Sequence, residues 1–181
     1  LISDRRGPKR GVYWLEYPGP EVAIDPLQWK RHDIGGNNRE IKFISHGDLD
    51  KDGRLDVIAI DKTSIVWFRS TESEWKEHVI PLPDGVGGGQ SAVTFDVNQD
   101  GQNDLVFSCE SAKAPLSGTQ WLSYRDTPFE QFWQNHEIAG KSGIKYDRIV
   151  PSDVDGDGDL DILCCEERDQ LGVFWYENPY G

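Results

Sequence analysis

An acidic nine-residue loop, DxDxDGxxD, occurs three times in this chain and constrains its fold more than any other feature. The copies span residues 48–56, 96–104 and 153–161, with Asn at the third position of the middle copy. We call them the first, second and third loops. Oxygens at positions 1, 3 and 5 can converge on one point, and Gly at position 6 permits a sharp turn. Because carboxylates are hard ligands, the pattern predicts three Ca²⁺ sites.

The predicted ligands are the side chains at positions 1, 3, 5 and 9 and the main-chain carbonyl at position 7. In chain order they are Asp48, Asp50, Asp52, Arg54 and Asp56, then Asp96, Asn98, Asp100, Gln102 and Asp104, then Asp153, Asp155, Asp157, Asp159 and Asp161. An EF-hand differs, because its loop lies between helices and carries Glu at position 12. Position 12 here is Ala59, Phe107 or Cys164, in segments of strand type. A solvated acidic turn that binds nothing would explain one loop, but three matched copies favour metal binding.

The net negative charge of the chain favours the binding of cations. Formal net charge is −13, and twelve of the 32 acidic residues lie within the 27 loop positions. Three divalent ions would bring the net charge to about −7 (−13 + 6) and relieve this repulsion, so we expect a Ca²⁺-stabilised fold. A basic patch for nucleic acid is absent from the sequence, and so is an apolar run long enough for membrane insertion.

The repeat is larger than the loop. The loops start 48 and then 57 residues apart, and each is followed by an apolar strand, a Trp-bearing segment and a WxxHxI segment where the chain continues. One further apolar segment precedes each loop, which makes four short strands per repeat. Four-stranded units recurring at this spacing are typical of propeller blades, and helical periodicity is weak throughout.

We therefore predict an all-β chain, a β-propeller of four-stranded antiparallel blades with about three and a half blades and fourteen strands. The expected units are a partial blade at 1–38 with strands two to four, blades at 39–84 and 85–140, and a partial blade at 141–181 with strands one to three. Such an arc is expected to be completed by the rest of a larger, seven-bladed propeller or by a second copy of the chain. A start inside a strand favours a segment of a longer polypeptide.

These residues resemble the FG-GAP or VCBS-type repeat that builds integrin-alpha-like β-propellers. The resemblance covers nearly the whole chain, and its most specific element is the acidic loop between the first and second strands of a blade. The Phe-Gly and Gly-Ala-Pro strings of one branch are missing. In that family the loops are structural Ca²⁺ sites on one face of the propeller, which is what the resemblance implies for the Asp residues named above.

Recurring His and Trp residues are predicted to belong to the scaffold. His32, His78 and His136 occupy equivalent positions, and a catalytic group is rarely needed in triplicate. Trp residues recur in the same way, which favours packing between blades over stacking on sugars. His46 is the one His outside the pattern, so a functional role stays open for it. Cys109, Cys164 and Cys165 are expected to be buried thiols, although a bridge from Cys109 to one of the other two is an alternative.

A ligand is expected at the loops that differ between repeats, on the face opposite the acidic loops. We call the candidate polar residues there the ligand rim. They are Arg39, Gln90, Glu110, Lys145, Tyr146, Asp147, Arg148, Glu166 and Arg168.

Two functions are consistent with the sequence. The first is a non-catalytic binding or adhesion module for a glycan or protein partner, secreted or on the cell surface, where Ca²⁺ is abundant. The alternative is a propeller domain of a carbohydrate-active enzyme of the lyase or dehydratase type. The sequence contains no HExxH motif and no nucleophile elbow, so binding is favoured.

Overall fold

The computed structural model describes residues 1–180 and confirms the all-β prediction. Fourteen strands form four antiparallel sheets, which we call the first to fourth blades of a partial propeller. The first blade contains β1 (Ile2–Asp4), β2 (Gly11–Glu16) and β3 (Lys30–Gly35). The second contains β4 (Ile44–Gly47), β5 (Asp56–Ile60), β6 (Ser64–Ser70) and β7 (Trp75–Pro81). The third contains β8 (Gly88–Phe95), β9 (Asp104–Glu110), β10 (Thr119–Ser123) and β11 (Gln134–Glu137), and the fourth contains β12 (Tyr146–Ser152), β13 (Asp161–Glu166) and β14 (Gly172–Tyr176).

One short helical turn interrupts the otherwise all-β chain. A 3₁₀ turn spans Pro26–Gln28 between β2 and β3. The Asp25 carboxylate caps it by accepting from the Leu27 amide at 2.9 Å, and Pro26 fits the first position because its ring presets the backbone.

The described residues contain no helix that is both long and apolar enough to cross a membrane.

Alternation along the strands builds a hydrophobic core on each side of the second blade. Val57 and Ala59 of β5 face the first blade, while Ile58 and Ile60 face the third. Successive side chains of a strand point to opposite faces, so one strand supplies both cores. A third core lies between the third and fourth blades and includes Val106 and Ile162. Each sheet thus buries its apolar residues against the next sheet in sequence, as propeller blades do.

The recurring Trp and His residues form cross-strand pairs within three blades. Trp14 stacks on His32 with ring centroids 4.1 Å apart, and Trp121 stacks on His136 at 3.9 Å. Trp67 and His78 are also register partners, with centroids 4.8 Å apart and tilted planes. These pairs place each imidazole against an indole in the blade, which agrees with the scaffold role expected for the three histidines.

The three cysteines are free thiols, which confirms the buried-thiol prediction for Cys109 and Cys164, while Cys165 is half-buried. Cys109 lies in the core between the second and third blades, and Cys164 lies in the next core. Burial raises the pKa of both thiols to about 12, because the thiolate would have to be desolvated.

Candidate metal loops

The three acidic loops occupy equivalent places in the second, third and fourth blades. Each joins the first strand of its blade to the second, namely β4 to β5, β8 to β9 and β12 to β13. Gly at position 6 has a left-handed backbone in every copy, with φ of 86° at Gly53, 90° at Gly101 and 100° at Gly158. The predicted sharp turn is therefore present, at the residue that can adopt this conformation without steric cost.

Position 4 of each loop is left-handed as well, a feature that the DxDxDGxxD pattern does not predict. The residues are Lys51, Gln99 and Gly156, with φ of 55°, 57° and 84°. Lys and Gln give no hint of this backbone, whereas Gly156 in the third copy does. Two left-handed residues in close succession wind the backbone around the side chains at positions 1, 3 and 5.

Carboxylates inside the loops accept hydrogen bonds from the turning backbone. Asp48 accepts from the amides of Asp52 at 3.0 Å and Gly53 at 2.8 Å. In the second loop, Asp96 accepts from the equivalent amides, those of Asp100 and Gly101. These bonds hold the position-1 carboxylate at the centre of the loop, where a cation ligand is required.

The Asp at position 9 is the buried anchor of each loop. Asp56, Asp104 and Asp161 are at most 1% exposed. Each accepts from the amide of the residue after position 1; the Val97 amide donates to Asp104 at 3.0 Å, and the Val154 amide donates to Asp161 at 2.9 Å. Burial raises the pKa of Asp104 to about 7, against the opposing effect of these hydrogen bonds. A nearby cation would favour the ionised carboxylate instead.

Two of the loops bring three carboxylates together. Asp48, Asp50 and Asp56 of the first loop have carboxylate oxygens within 4.8 Å of one another. Asp153, Asp155 and Asp161 of the third loop do the same. The second loop has Asn98 at the equivalent position, which leaves only two acids of that trio, and the Asn98 amide donates to Asp100 at 3.0 Å. The use of the position-7 carbonyls stays a prediction.

Basic side chains approach the loops unequally. The Arg69 guanidinium bonds to Asp50 and, at 2.8 Å, to Asp52, so it already neutralises part of the first loop. Lys51 extends from the first loop to the second, where it reaches the Gly101 carbonyl and lies 3.9 Å from Asp96. Within residues 1–180, no Lys, Arg or His lies within 4.0 Å of a third-loop carboxylate.

Side-chain amides join loops of neighbouring blades. The Asn103 amide, in the second loop, donates to the Asp48 carbonyl of the first loop at 2.6 Å. Asn178, which follows β14, donates to the Val97 carbonyl of the second loop at 2.9 Å, and its own backbone amide donates to Asp161. The three loops are therefore one connected surface, and a change in one loop has a direct hydrogen-bonded route to the next.

Most residues of the predicted ligand rim bond to other parts of the protein. Arg39 pairs with Asp61 at 2.7 Å and with Glu77 at 2.9 Å. Two further contacts tie neighbouring blades together. The Lys42 ammonium lies 2.5 Å from Glu110, and the Gln90 amide donates to Asp147 at 2.9 Å.

The remaining rim residues are split between buried and exposed positions. Tyr146 is fully buried, and Glu166 is buried and accepts from several backbone amides, including that of Lys145 at 2.9 Å. The Lys145 ammonium pairs with Asp147 at 3.3 Å and also contacts Glu167. Arg148 and Arg168 are exposed, with no side-chain partner among residues 1–180. The rim as a ligand site stays a prediction, with these two arginines as its free charges.

Two open cavities complete the candidate sites. A groove of about 500 Å³ runs between β1 and the first strands of the other blades, and contains His46 and Arg148. A second cavity, of about 710 Å³, lies beside the second loop and is lined by Asp100, Phe132 and Trp133 among others. Phe132 is 85% exposed and belongs to the segment between β10 and β11, which is longer than its β6–β7 counterpart.

Sheets that bury their faces against one another, with an acidic loop at the same end of three of them, define a partial β-propeller with candidate cation loops. Residues 48–107, from the first loop into β9, match the model of the FG-GAP-like repeat. This range contains both the first and the second loop, so the match supports an FG-GAP-type repeat there. No curated protein gives a significant match to the chain.

Proposed function

We propose that this chain is a Ca²⁺-stabilised propeller module that binds a ligand outside the cell and does not catalyse a reaction. The observation that carries the proposal is the convergence of three carboxylates within 4.8 Å in both the first and the third loop. Those loops lie at the same place in different blades, which is expected of a repeated structural site. The FG-GAP-type match over residues 48–107 supports the same reading.

The residues fit Ca²⁺ better than a softer metal. The convergent atoms are all carboxylate oxygens, whereas transition metals favour His and Cys ligands. In the first loop, Asp50 Oδ1 is buried and has no hydrogen-bond partner among the described residues. A buried carboxylate oxygen without a partner is unfavourable, so a cation at this point would satisfy it. The second loop, with Asn98 as a neutral oxygen ligand, completes the three proposed Ca²⁺ sites.

Bound Ca²⁺ would stabilise the junctions between blades. Asn103, Asn178 and Lys51 already connect the loops, so fixing one loop restrains its neighbour. The same chemistry supports the proposed extracellular location, because exposed carboxylate loops fill most readily where Ca²⁺ is abundant.

Removal of Ca²⁺ with the chelator EDTA tests this proposal. We expect EDTA to lower the Tm by many degrees and excess Ca²⁺ to restore it, because Ca²⁺ binds the folded loops and not the unfolded chain. Native mass spectrometry should count three Ca²⁺ ions, and Asp48→Asn should remove one. Asp84→Asn, at an exposed position between β7 and β8, is the matched control for charge. A Tm unchanged by EDTA would contradict the proposal.

The ligand is proposed to be a carbohydrate or a protein, and the cavity beside the second loop is one surface that could bind it. It combines polar groups of the loop with exposed aromatic rings, a combination suited to sugars, which have both hydroxyls and apolar ring faces. Arg148, which lines the groove, and Arg168, between β13 and β14, are the free charges of the proposed ligand rim.

Further blades are proposed as partners for the fourth blade. Trp175 is 38% exposed and Val173 is 76% exposed. Trp67, the repeat equivalent of Trp175 by strand register, is fully buried against the third blade. A following blade, from a longer polypeptide or from a second copy of the chain, would cover this face in the same way.

The groove that contains His46 and Arg148 favours a second candidate function, a carbohydrate-active enzyme of the lyase type. An imidazole can act as a base, and a guanidinium can neutralise an acidic sugar. Incubation with uronic acid polymers, followed by the ultraviolet absorbance of an unsaturated product, tests it. Activity that is lost in His46→Ala would favour the enzyme over the binding module.

A further inference from the structure

Asp159, at position 7 of the third loop, has a buried carboxylate in an otherwise exposed turn. The residue is 6% exposed, while Asp157, Gly158 and Leu160 around it are exposed. Both Asp159 carboxylate oxygens are inaccessible to solvent and have no hydrogen-bond partner among the described residues. The Asp159 amide donates to the Asp157 carboxylate at 3.1 Å, so the loop folds back around its own acids.

The equivalent residues in the other loops behave differently. Arg54 in the first loop is exposed and directs its guanidinium to Glu72 at 3.1 Å, away from the loop. Gln102 in the second loop is neutral. Asp159 is therefore the one position-7 side chain in the three loops that adds a negative charge inside the turn.

The charges around Asp159 are negative, so its burial is not compensated by the protein. The charged neighbours that act on its carboxylate are Asp157, Asp161 and Asp155, and all three are negative. The Arg69 side chain that reaches the first loop has Glu177 as its repeat equivalent, since Phe68 and Tyr176 occupy the same register. A buried, unpaired carboxylate among other carboxylates is unfavourable unless a cation is present.

We infer that the third loop is the strongest cation site of the chain and that the Asp159 side chain is an additional ligand there. The third loop carries five acids, Asp153, Asp155, Asp157, Asp159 and Asp161, of which Asp153, Asp155 and Asp161 already converge, against four acids in the first loop and three in the second. The site is suited to hard cations of high charge. Ca²⁺ is the expected cation, and trivalent lanthanides should bind with higher affinity because they carry more charge. This inference rests on the proposed Ca²⁺ binding and adds the order in which the loops fill.

Calorimetric titration of Ca²⁺ and of Tb³⁺ into the metal-free full chain, at constant ionic strength, tests the inference. We expect Asp153→Asn to abolish the tightest site and Asp159→Asn to weaken it at least tenfold, with a much smaller effect on the two weaker sites. Asp84→Asn, the charge control at an exposed position between β7 and β8, should leave the tightest site unaffected. Tb³⁺ should lose more affinity than Ca²⁺ in Asp159→Asn, because it carries more charge.

Folding and binding are separated by a second measurement. Asp159→Asn is nearly isosteric and removes a repulsive charge, so we expect the metal-free variant to melt at or above the temperature of the metal-free parent. A tightest site of parental affinity in Asp159→Asn, or one that survives Asp153→Asn, would overturn the inference while leaving the proposed function intact. A parent chain that binds no Ca²⁺ would instead contradict the proposed function itself.

Discussion

Arg69 is the single residue that most alters the chemistry of an acidic loop. It lies in β6, yet its guanidinium contacts both Asp50 and Asp52 of the first loop. The equivalent residues are Ser123 in the third blade and Glu177 in the fourth, neither of which is basic. The first loop therefore has an internal counter-ion that competes with any bound metal.

Arg69→Gln is expected to tighten Ca²⁺ binding at the first loop. Removal of an unfavourable charge interaction of about 1 kcal/mol raises the affinity about fivefold. Arg54→Gln is the matched control, because Arg54 lies in the loop itself but its guanidinium contacts only Glu72. The measurement is Ca²⁺ titration in an Asp153→Asn background, which removes the site that we propose to be the strongest. Equal affinities in Arg69→Gln and Arg54→Gln would show that Arg69 does not compete.

The sequence could not have revealed this contact. The three loops were identified from their own spacing, and Gly53, Gly101 and Gly158 adopt the expected turn. Arg69, however, lies 17 residues from Asp52 and differs from its repeat equivalents, so no periodicity points to it. The ligand rim shows a related limit, because the sequence does not show which of its side chains already have partners. Polarity at segments that differ between repeats predicts Glu110 and Gln90 as ligand residues, but polarity does not tell whether a partner in the next blade satisfies each side chain.

Strands and blades were more predictable than side-chain partners. Alternation and turn residues predicted fourteen strands, and the phase of the repeat predicted three strands in the first and last sheets. These patterns are local and repeated, so errors in one copy are corrected by the others. The 3₁₀ turn at Pro26–Gln28 was missed because it occurs in one blade only and is too short for a helical period.

The position of a blade decides how much each Trp contributes to stability. Trp67 and Trp175 are repeat equivalents, but Trp67 is fully buried and donates to Asp56 at 2.8 Å, whereas Trp175 is 38% exposed. Trp67→Ala is expected to cost about 3–5 kcal/mol of the free energy of unfolding, as large-to-small core substitutions do. Trp175→Ala is expected to cost about 1 kcal/mol.

Urea denaturation in saturating Ca²⁺ measures both values. Phe132→Ala serves as the control for the loss of an exposed aromatic ring, because Phe132 is 85% exposed and should change the free energy of unfolding little. A cost for Trp175→Ala equal to that for Trp67→Ala would mean that the fourth blade is covered in solution, as it would be in an assembly of two copies. Dilution would then lower that cost, since an assembly depends on protein concentration.

At the scale of the whole molecule, the dominant property is a net charge of −13 with twelve acids on one connected surface of three loops. In the folded chain, Asn103, Asn178 and Lys51 hold the loops of neighbouring blades close together. The carboxylates of these loops repel one another when no cation is bound, so the arrangement opposes folding. Specific binding and simple screening would both relieve the repulsion. The two differ in how they depend on monovalent salt.

We expect NaCl to raise the Tm of the metal-free protein and to change the Tm of the Ca²⁺-loaded protein much less. At about 1 M salt the Debye length is about 3 Å, so repulsion between loops is largely screened without any ion being coordinated. Calorimetry at increasing NaCl, with EDTA or with excess Ca²⁺, provides the comparison. Ca²⁺ at millimolar concentration should still exceed the effect of NaCl, because coordination also satisfies buried oxygens such as Asp50 Oδ1, which screening does not. If NaCl reproduced the whole effect of Ca²⁺, the loops would be a diffuse negative surface and the coordinated sites would have to be abandoned.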